Sequence, residues 1–366
     1  MHGTVLRIPR SDHLPRRLQI EGEHFAEPSD AEREIDLSEF FVLPGLADCH
    51  AHLAADSLRD VNENGEITAI RRRAFAQLGA GVFLVIDKGW RDEVVLSLLR
   101  DPPPDRPHLE AAARIITGPD GYFPRFADET DEAGLTQAVR AANTTGGWVK
   151  VIGDWPQKGR GPVINFGEEI LAAAVSVAHE AGARVAIHAM APDTPSRAVR
   201  AGVDSIEHGL YLTPEDLGTL GARGGAWVPT IGNTLDVIEA LGPGSSGARI
   251  LGQGLENIRR LLQAAVEAGV SVLAGTDLGL AHGEVAREAA YLNRYGLGGP
   301  AAVDSAGPAA YRYLGLPHLE PGASADLLLF DEDPTTDVAV LRRPIAGIRA
   351  GKVVFDRTNR LAPRGS

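Results

Sequence analysis

The sequence predicts an α/β protein built on a (β/α)8 TIM barrel, with a small composite β-sandwich domain formed by both chain ends. Short runs rich in valine, isoleucine and alanine recur through residues 45–320, about 30 residues apart, which is the length of a βα unit. Several of these runs follow a glycine that ends a helical stretch, as in Ala181-Gly182-Ala183. Eight such units in about 275 residues match a closed parallel barrel, for which about 250 residues are typical.

The barrel section is predicted to span residues 45–320. Its eight predicted strands lie at 45–50, 82–87, 112–117, 148–152, 184–188, 205–207, 226–230 and 271–275. An open, doubly wound sheet is the alternative, but that fold usually has a glycine-rich phosphate loop after its first strand. No such loop follows residue 50 in this sequence.

The two chain ends are predicted to form the β-domain. Residues 1–44 contain extended candidates at 4–8, 17–21 and 40–43, and residues 321–366 contain extended runs at 325–330 and 349–355. Residues 361–366 have no pattern and resemble a cloning remnant, so the fold prediction leaves them out.

Composition limits the function. The chain has 366 residues, with 36 Lys+Arg against 49 Asp+Glu and a net charge of −13, which disfavours binding to nucleic acid. Its longest apolar run, at 170–178, is about half the length that spans a bilayer, so no membrane partner is expected. Cys49 is the one cysteine, and we expect a cytoplasmic protein. A small molecule is the expected partner, with a homo-oligomer left open.

Metal-binding residue types follow several of the predicted strands. Because the carboxyl ends of parallel strands meet at one face of a barrel, these side chains should share one rim. Two imidazoles two residues apart also lie on the same face of a strand. One histidine at a strand end is more often a core residue, but four with an aspartate indicate a metal site. The set comprises His50, His52, Lys150, His188, His208 and Asp277.

Lys150 lies in an apolar strand of a chain that has only four lysines. A buried ammonium is costly, and desolvation lowers its pKa. A neutral amine reacts with CO₂ to give a carbamate, an anionic ligand suited to bridge two cations. The alternatives are an ion pair with Asp154 or Asp277, or a substrate contact. Asp277 itself is a candidate metal ligand and proton carrier, or else a helix N-cap.

The sequence resembles the amidohydrolase superfamily at several ordered points. Its first-strand signature reads Gly45-Leu46-Ala47-Asp48-Cys49-His50-Ala51-His52, its sixth-strand phrase reads Ser205-Ile206-Glu207-His208-Gly209, and its eighth reads Ala274-Gly275-Thr276-Asp277. The lysine on strand four resembles that of the binuclear branch, and the nearest group is imidazolonepropionase-related and prolidase-like. The resemblance implies two divalent cations, with zinc as the expected metal. His50, His52, carboxylated Lys150 and Asp277 would hold one, and the carbamate, His188 and His208 the other.

This resemblance implies a metal-dependent hydrolase that cleaves the amide C–N bond of a small molecule, such as a dipeptide or an N-acyl amino acid. A metal-bridged hydroxide would attack, with Asp277 as proton shuttle and Lys150 and His208 as further catalytic residues. The alternatives are a cyclic-amide (lactam or imidazolone) hydrolase or a mononuclear deaminase on the same scaffold, and, from another class, a non-catalytic scaffold protein. No glutamate follows His188 closely, which disfavours the deaminase.

Substrate selectivity is expected in the loops that follow the strands. The predicted substrate-binding residues are Tyr122, Trp155, Tyr211 and His282. Asp48 and Glu207 flank ligand histidines and are candidates for hydrogen bonds to imidazole N–H groups. In a regular strand, however, Glu207 and His208 would point to opposite faces.

Overall fold

The computed structural model describes residues 1–9, 15–29, 33–57, 66–157 and 159–361. Its strands in chain order are β1 Thr4–Arg7, β2 Arg17–Glu21, β3 His24–Ala26, β4 Arg33–Asp36, β5 Phe41–Leu43, β6 Leu46–Ala51, β7 Val82–Asp87, β8 His108–Thr117, β9 Asp128–Glu129, β10 Gly147–Ile152, β11 Asp154–Gln157, β12 Gly161–Ile164, β13 Arg184–Ala189, β14 Ser205–His208, β15 Ala226–Val228, β16 Ser271–Val272, β17 Leu327–Phe330, β18 Ala346–Arg349 and β19 Lys352–Asp356.

The helices are α1 Ile67–Gly79, α2 Leu135–Ala141, α3 Glu168–Glu180, α4 Thr194–Arg200, α5 Pro214–Ala222, α6 Ile231–Leu241, α7 Ser246–Glu267, α8 Val285–Leu292, α9 Gly299–Ser305 and α10 Pro308–Leu314. None of the described helices is both long and apolar enough to cross a bilayer.

Eight parallel strands follow one another in one curled sheet, in the order β16-β15-β14-β13-β10-β8-β7-β6, and the short strand β9 joins this sheet by pairing with β8. These strands are rich in valine, isoleucine and alanine because helices cover one side and packed side chains fill the other. Backbone hydrogen bonds also connect the two ends of the series: the amide of Cys49 donates to the carbonyl of Ala274 at 2.8 Å. The sheet is consistent with the predicted TIM barrel, and each predicted barrel strand corresponds to an observed one.

The seventh and eighth barrel strands are shorter than predicted, ending at Val228 and Val272. Pro229 follows β15 and has no N–H to donate to a neighbouring strand. Thr230 then adopts the left-handed conformation (φ 48°), and helix α6 begins at the next residue. The chain therefore leaves the sheet earlier than the apolar pattern indicates.

The two chain ends form two four-stranded sheets, in the orders β3-β2-β1-β4 and β19-β18-β17-β5. Strand β5, which precedes the barrel, pairs antiparallel with β17, which follows it. Residues from both ends share one apolar cluster, which includes Leu18, Ile20, Leu327 and Ile348. That these sheets make a sandwich domain, with boundaries after residues 44 and 320, stays a prediction.

Leu361 belongs to the same apolar cluster and is 1% exposed. Its amide donates a hydrogen bond to Asp356 at 2.7 Å, and its carbonyl accepts one from Arg33 at 3.1 Å. Leaving Leu361 out of the fold was therefore wrong, because a single buried leucine in a polar tail has no periodicity to reveal it. Residues 362–366 lie outside the described residues.

Candidate active site

Four histidines from three barrel strands lie next to one another at the carboxyl ends of the parallel strands. The ring centroids of His50 and His52 are 5.3 Å apart, those of His50 and His208 are 5.4 Å apart, and those of His188 and His208 are 4.6 Å apart. All four residues are buried. The shared rim expected from the parallel topology is thus present in the structure.

Asp277 faces two of these rings. Its Oδ1 atom lies 3.4 Å from His52 Nε2 and 3.8 Å from His50 Nε2, and one ligand atom from each of the three residues lies within 4.8 Å of the other two. Its Oδ2 atom accepts a hydrogen bond from Asn233 at 2.7 Å. Burial opposes ionisation of Asp277, but the neighbouring histidines outweigh it and hold the pKa of this carboxyl well below its ordinary value. No helix begins here, so Asp277 is not a helix N-cap.

The Nζ atom of Lys150 is buried and has no hydrogen-bond partner within the described residues. Burial lowers the pKa of Lys150 to about 8. Burial and then the charge of Lys150 lower the pKa of His50 to about 4, and burial is the main cause that lowers the pKa of His188 and of His208. Burial also opposes protonation of His52, but Asp277 outweighs it and raises the pKa of that ring. Among the described residues, neither alternative ion pair of Lys150 is seen. One oxygen of Asp154 accepts the amides of Met190 and Ala191 and the other lies 3.8 Å from His188 Nε2, while Asp277 faces His50 and His52.

Three of the imidazoles use their Nδ1 atoms for contacts with the protein. His52 Nδ1 lies 2.7 Å from the carbonyl of Gly89, His208 Nδ1 lies 2.5 Å from Thr230 Oγ1, and His50 Nδ1 lies 2.7 Å from Glu207 Oε2. Such contacts on Nδ1 fix the ring orientation and leave Nε2 as the ligand atom. These rings, the carboxylate of Asp277 and the unpartnered amine of Lys150 are a donor set that fits divalent cations.

Glu207 reaches the same site as His208, although a regular strand would separate them. Its Oε1 atom lies 3.1 Å from Lys88 Nζ and accepts a hydrogen bond from Ser205 Oγ at 2.6 Å. His208 adopts a left-handed conformation (φ 64°), which turns the chain directly after Glu207 and breaks the strand alternation. Burial opposes ionisation of Glu207, but Lys88 and His50 hold its pKa well below the ordinary value.

Left-handed backbone recurs at the ends of three consecutive barrel strands, at His208 (φ 64°), Thr230 (φ 48°) and Asp277 (φ 51°). A non-glycine residue in this region costs roughly 1–3 kcal/mol and persists where the surroundings enforce it, often at functional sites. In the region after the eighth strand, Asp277 donates its amide to the carbonyl of His50 at 2.6 Å. Three of the non-glycine residues with left-handed backbone therefore lie at the candidate site, while others, such as Asp120 and Leu319, lie elsewhere in the chain.

Asp48 does not contact an imidazole, contrary to the expectation from its position. Its carboxylate instead accepts the amide and the hydroxyl of Thr276, at 3.0 and 2.6 Å, and the side chain of Gln77 at 3.2 Å. Asp48 thus connects the first barrel strand to the segment that carries Asp277. Lys88 is a further residue of the site, which the sequence patterns above do not predict. The available signal was its place directly after the second strand in a chain with few lysines.

A cavity of about 450 Å³ opens beside the rim. Two of the predicted substrate-binding residues, Tyr122 and Trp155, line it, and so do His188 and Asp277. The other lining residues are Phe123, Asp154, Pro156, Gly161, Pro162, Met190, Ala191, Asn233, Val237, Leu241, Ser246, Gly247, Ile250 and Leu251.

The other two predicted substrate-binding residues are not among the residues that line this cavity. The hydroxyl of Tyr211 donates to the carbonyl of Ile250 at 2.9 Å. His282 Nε2 lies 2.7 Å from the carbonyl of Ala55. The substrate-binding role of Tyr211 and His282 stays a prediction, although both side chains already have protein partners.

Comparisons with known proteins agree with this fold. The chain matches the amidohydrolase family over residues 41–354. An uncharacterized protein of Mycobacterium tuberculosis is 34% identical over 320 residues, which are 85% of this chain and 85% of that protein. A crystal structure of a Xaa-Pro dipeptidase with bound methionine has a TM-score of 0.79 at 24% identity, covering 96% of this chain and 99% of that chain. Ochratoxinase from A. niger has a TM-score of 0.80 at 19% identity, covering 97% and 96%.

The fold and the family match over most of the chain define a hydrolase that acts on carbon–nitrogen bonds. The chain belongs to the amidohydrolase family. Members of this family generally bind divalent metal ions, and the cluster of His50, His52 and Asp277 is compatible with one.

Proposed function

We propose that this protein hydrolyses the amide bond of a small molecule, such as a dipeptide or an N-acyl amino acid, with two divalent cations, zinc being the expected metal. The buried Nζ atom of Lys150, unpartnered at a rim of four imidazoles and a carboxylate, carries this proposal. An amine that burial makes easier to deprotonate can react with CO₂, and the resulting carbamate adds the anionic oxygens that a two-cation site needs. A Xaa-Pro dipeptidase is among the proteins of similar fold.

The ligands divide into two groups that share the carbamate. His50, His52, carboxylated Lys150 and Asp277 would hold one cation, and the carbamate, His188 and His208 the other. The contacts of Glu207, Gly89 and Thr230 with the Nδ1 atoms of three of these histidines support this division, because they leave Nε2 available. The chemistry that such cations supply is a lower pKa of water and polarisation of the substrate carbonyl.

The proton transfers are assigned to Asp277. Its carboxylate accepts the proton of the attacking water and passes it to the nitrogen as the C–N bond breaks, so the products are a carboxylic acid and an amine. Asn233 holds Oδ2 of Asp277 through a hydrogen bond of 2.7 Å and thereby orients the carboxylate. A group that both accepts and returns a proton needs this fixed position near both reacting atoms.

The metal content and the reaction are tested together. Protein purified without chelator should contain two divalent ions per chain by elemental analysis and should hydrolyse members of a panel of dipeptides, N-acyl amino acids and lactams. One ion per chain with full activity would favour the mononuclear alternative. Protein with neither metal nor turnover would favour the non-catalytic scaffold and contradict the proposal.

A substitution tests the carbamate separately. Lys150→Ala should lose activity by at least about 100-fold and regain part of it when a short-chain carboxylic acid is added, since the acid replaces the carbamate oxygens. Lys352→Ala is the matched control, because that lysine is exposed and pairs with the surface residue Asp105 at 2.8 Å. A Lys150→Ala variant with the wild-type rate would show that no carbamate is needed.

A further inference from the structure

We propose that the substrate places a bulky, uncharged hydrophobic group in the cavity beside the rim and carries no carboxylate there. This inference rests on the proposed function and narrows it: free dipeptides and N-acyl amino acids carry a charged group close to the scissile amide, so either that group lies outside this cavity or the substrate is a neutral amide. Three features of the cavity lead to it: an aromatic wall, a set of aliphatic helix residues, and the charge of the lining.

The aromatic wall consists of Tyr122, Phe123 and Trp155. The centroid of the Trp155 ring lies 4.6 Å from that of Tyr122 and 4.8 Å from that of Phe123, so the three rings pack edge to face. Trp155 also lies 5.7 Å from the ring of His188, between centroids. The wall therefore reaches the rim, and an apolar group bound against it lies beside the bond that is cleaved.

Helices α6 and α7 supply the aliphatic part of the lining, through Val237, Leu241, Ile250 and Leu251. Leu241 is 50% exposed although it lines the cavity. A large leucine side chain left half in water next to a cavity is one that an apolar ligand would cover. Together with the aromatic wall, these residues make a volume of about 450 Å³ that fits a medium-sized organic group.

The charged groups of the lining disfavour an anionic substrate. Among the described lining residues there is neither an arginine nor a lysine, and the carboxylates are Asp154 and Asp277. Away from the rim, where the proposed cations would bind, a substrate carboxylate against the aromatic wall or the helix residues would lose its hydration without gaining a cationic side chain. A substrate ammonium finds little compensation either, since Asp277 faces the histidines, and Asp154 already accepts the amides of Met190 and Ala191. A neutral aromatic or aliphatic amide has no charged group to desolvate, so neither penalty applies to it.

Matched substrates test the inference on the metal-loaded enzyme. The neutral probe is the para-nitroanilide of hexanoic acid. Two charged probes change the end of the acyl chain: the adipoyl analogue carries a carboxylate there, and the omega-aminohexanoyl analogue carries an ammonium. The third charged probe keeps the hexanoyl chain and carries a carboxylate on the anilide ring. The value of kcat/KM should be at least about tenfold higher for the neutral probe than for every charged one. Equal or better turnover of any charged probe overturns the inference and leaves the proposed function intact.

Binding separates the two proposals when no bond is cleaved. Titration calorimetry with N-phenylhexanamide and its ring-carboxylated analogue should show at least about tenfold tighter binding of the neutral compound. If no amide of any kind is hydrolysed, the proposed function fails, and the calorimetry still decides the inference. Tighter binding of the carboxylated compound overturns it.

A charge placed in the cavity should change the preference. Leu241→Arg should raise kcat/KM for the ring-carboxylated anilide relative to the neutral one by about tenfold or more, because it supplies the missing cation. Val266→Arg is the matched control: Val266 is also an exposed apolar residue (42%), lies on helix α7 and does not line the cavity. The assignment of this cavity to the substrate would be contradicted if this ratio of kcat/KM values changed equally in Val266→Arg, or if it did not change in Leu241→Arg.

Discussion

The carboxylate of Glu207 lies 2.7 Å from Nδ1 of His50, and both residues are almost completely buried. The other carboxylate oxygen of Glu207 lies 3.1 Å from Nζ of Lys88, whose ammonium also lies 4.3 Å from the centroid of the Trp148 ring. A buried chain of lysine, glutamate and histidine thus ends at a candidate metal ligand. Glu207 fixes the His50 ring, and Lys88 keeps Glu207 ionised.

Glu207→Gln should weaken metal binding, because an amide orients the His50 ring less strongly and no longer favours Nε2 as a ligand. Loss of such a partner typically costs 10–100-fold in metal affinity. Chelator competition measures the affinity. The same variant leaves the Lys88 ammonium buried without its carboxylate, so the free energy of unfolding should fall by roughly 3–5 kcal/mol.

The double variant Glu207→Gln with Lys88→Met separates the two effects. Because it removes the uncompensated ammonium, much of the lost stability should return, while the metal affinity stays low. A double variant that recovers both quantities would mean that Glu207 acts on the site only through the stability of the fold.

Asp277→Asn should lower kcat by about 10²–10⁴-fold under metal-saturating conditions, because asparagine cannot accept the proton. Asn233→Ala should have a smaller effect, about tenfold, since it removes only the hydrogen bond to Oδ2. Steady-state kinetics with measured metal content checks both. Asn143→Ala, which breaks an exposed hydrogen bond to Glu93, is the control and should have wild-type kcat. Wild-type kcat in Asp277→Asn with full metal content would exclude the shuttle.

Glu288 should make stability depend on pH. It is buried and accepts the amides of Ile231 and Gly232, at 2.6 and 2.9 Å, but burial outweighs these bonds and raises its pKa from 4.5 to about 8. Between these values the folded protein holds a proton that the unfolded chain releases. The contribution of Glu288 to the free energy of unfolding therefore decreases as the pH rises between these two values, by up to about 1.4 kcal/mol per pH unit.

Urea unfolding at about pH 5.5, 6.5 and 7.5 measures this dependence. In Glu288→Gln the contribution should disappear, so the variant should lose less stability than the wild type as pH rises. Glu215→Gln, at an exposed site in the first turn of helix α5, should keep the wild-type slope. Parallel slopes in the wild type and Glu288→Gln would contradict the raised pKa.

Arg349 should be important for stability rather than for activity. Its Nη1 atom lies 2.8 Å from Asp326 Oδ1 with both side chains 4% exposed, and its Nε atom donates to the carbonyl of Arg106 before strand β8. Arg349→Met leaves a buried carboxylate unpaired and should cost roughly 3–5 kcal/mol of unfolding free energy. Arg17→Met breaks the exposed pair with Glu34 and should cost at most about 1 kcal/mol, by the same measurement. If Arg349→Met and Arg17→Met lost similar unfolding free energies, burial would not strengthen the pair of Arg349 with Asp326.

Much of the fold follows from local patterns. Apolar runs such as 82–87 and 184–188 are buried on both faces, and helix-ending glycines such as Gly182 separate them from the preceding helices, so the repeat of strand and helix is visible in the sequence. The predicted rim residues lie together because parallel strands deliver their ends to one face. Loops do not obey such a rule, and Tyr211 and His282 do not line the cavity although they follow barrel strands.

The sequence by itself determined the strand order and the residue types at the strand ends, because both depend on periodicity and on parallel topology. Only the tertiary structure decided which of these side chains touch. The turn at His208 places this ring at the same site as Glu207, which contacts His50, and Thr276 rather than an imidazole binds Asp48. The physical reason is that a left-handed residue reverses the alternation of a strand. Such a residue is stable only where contacts distant in sequence enforce it.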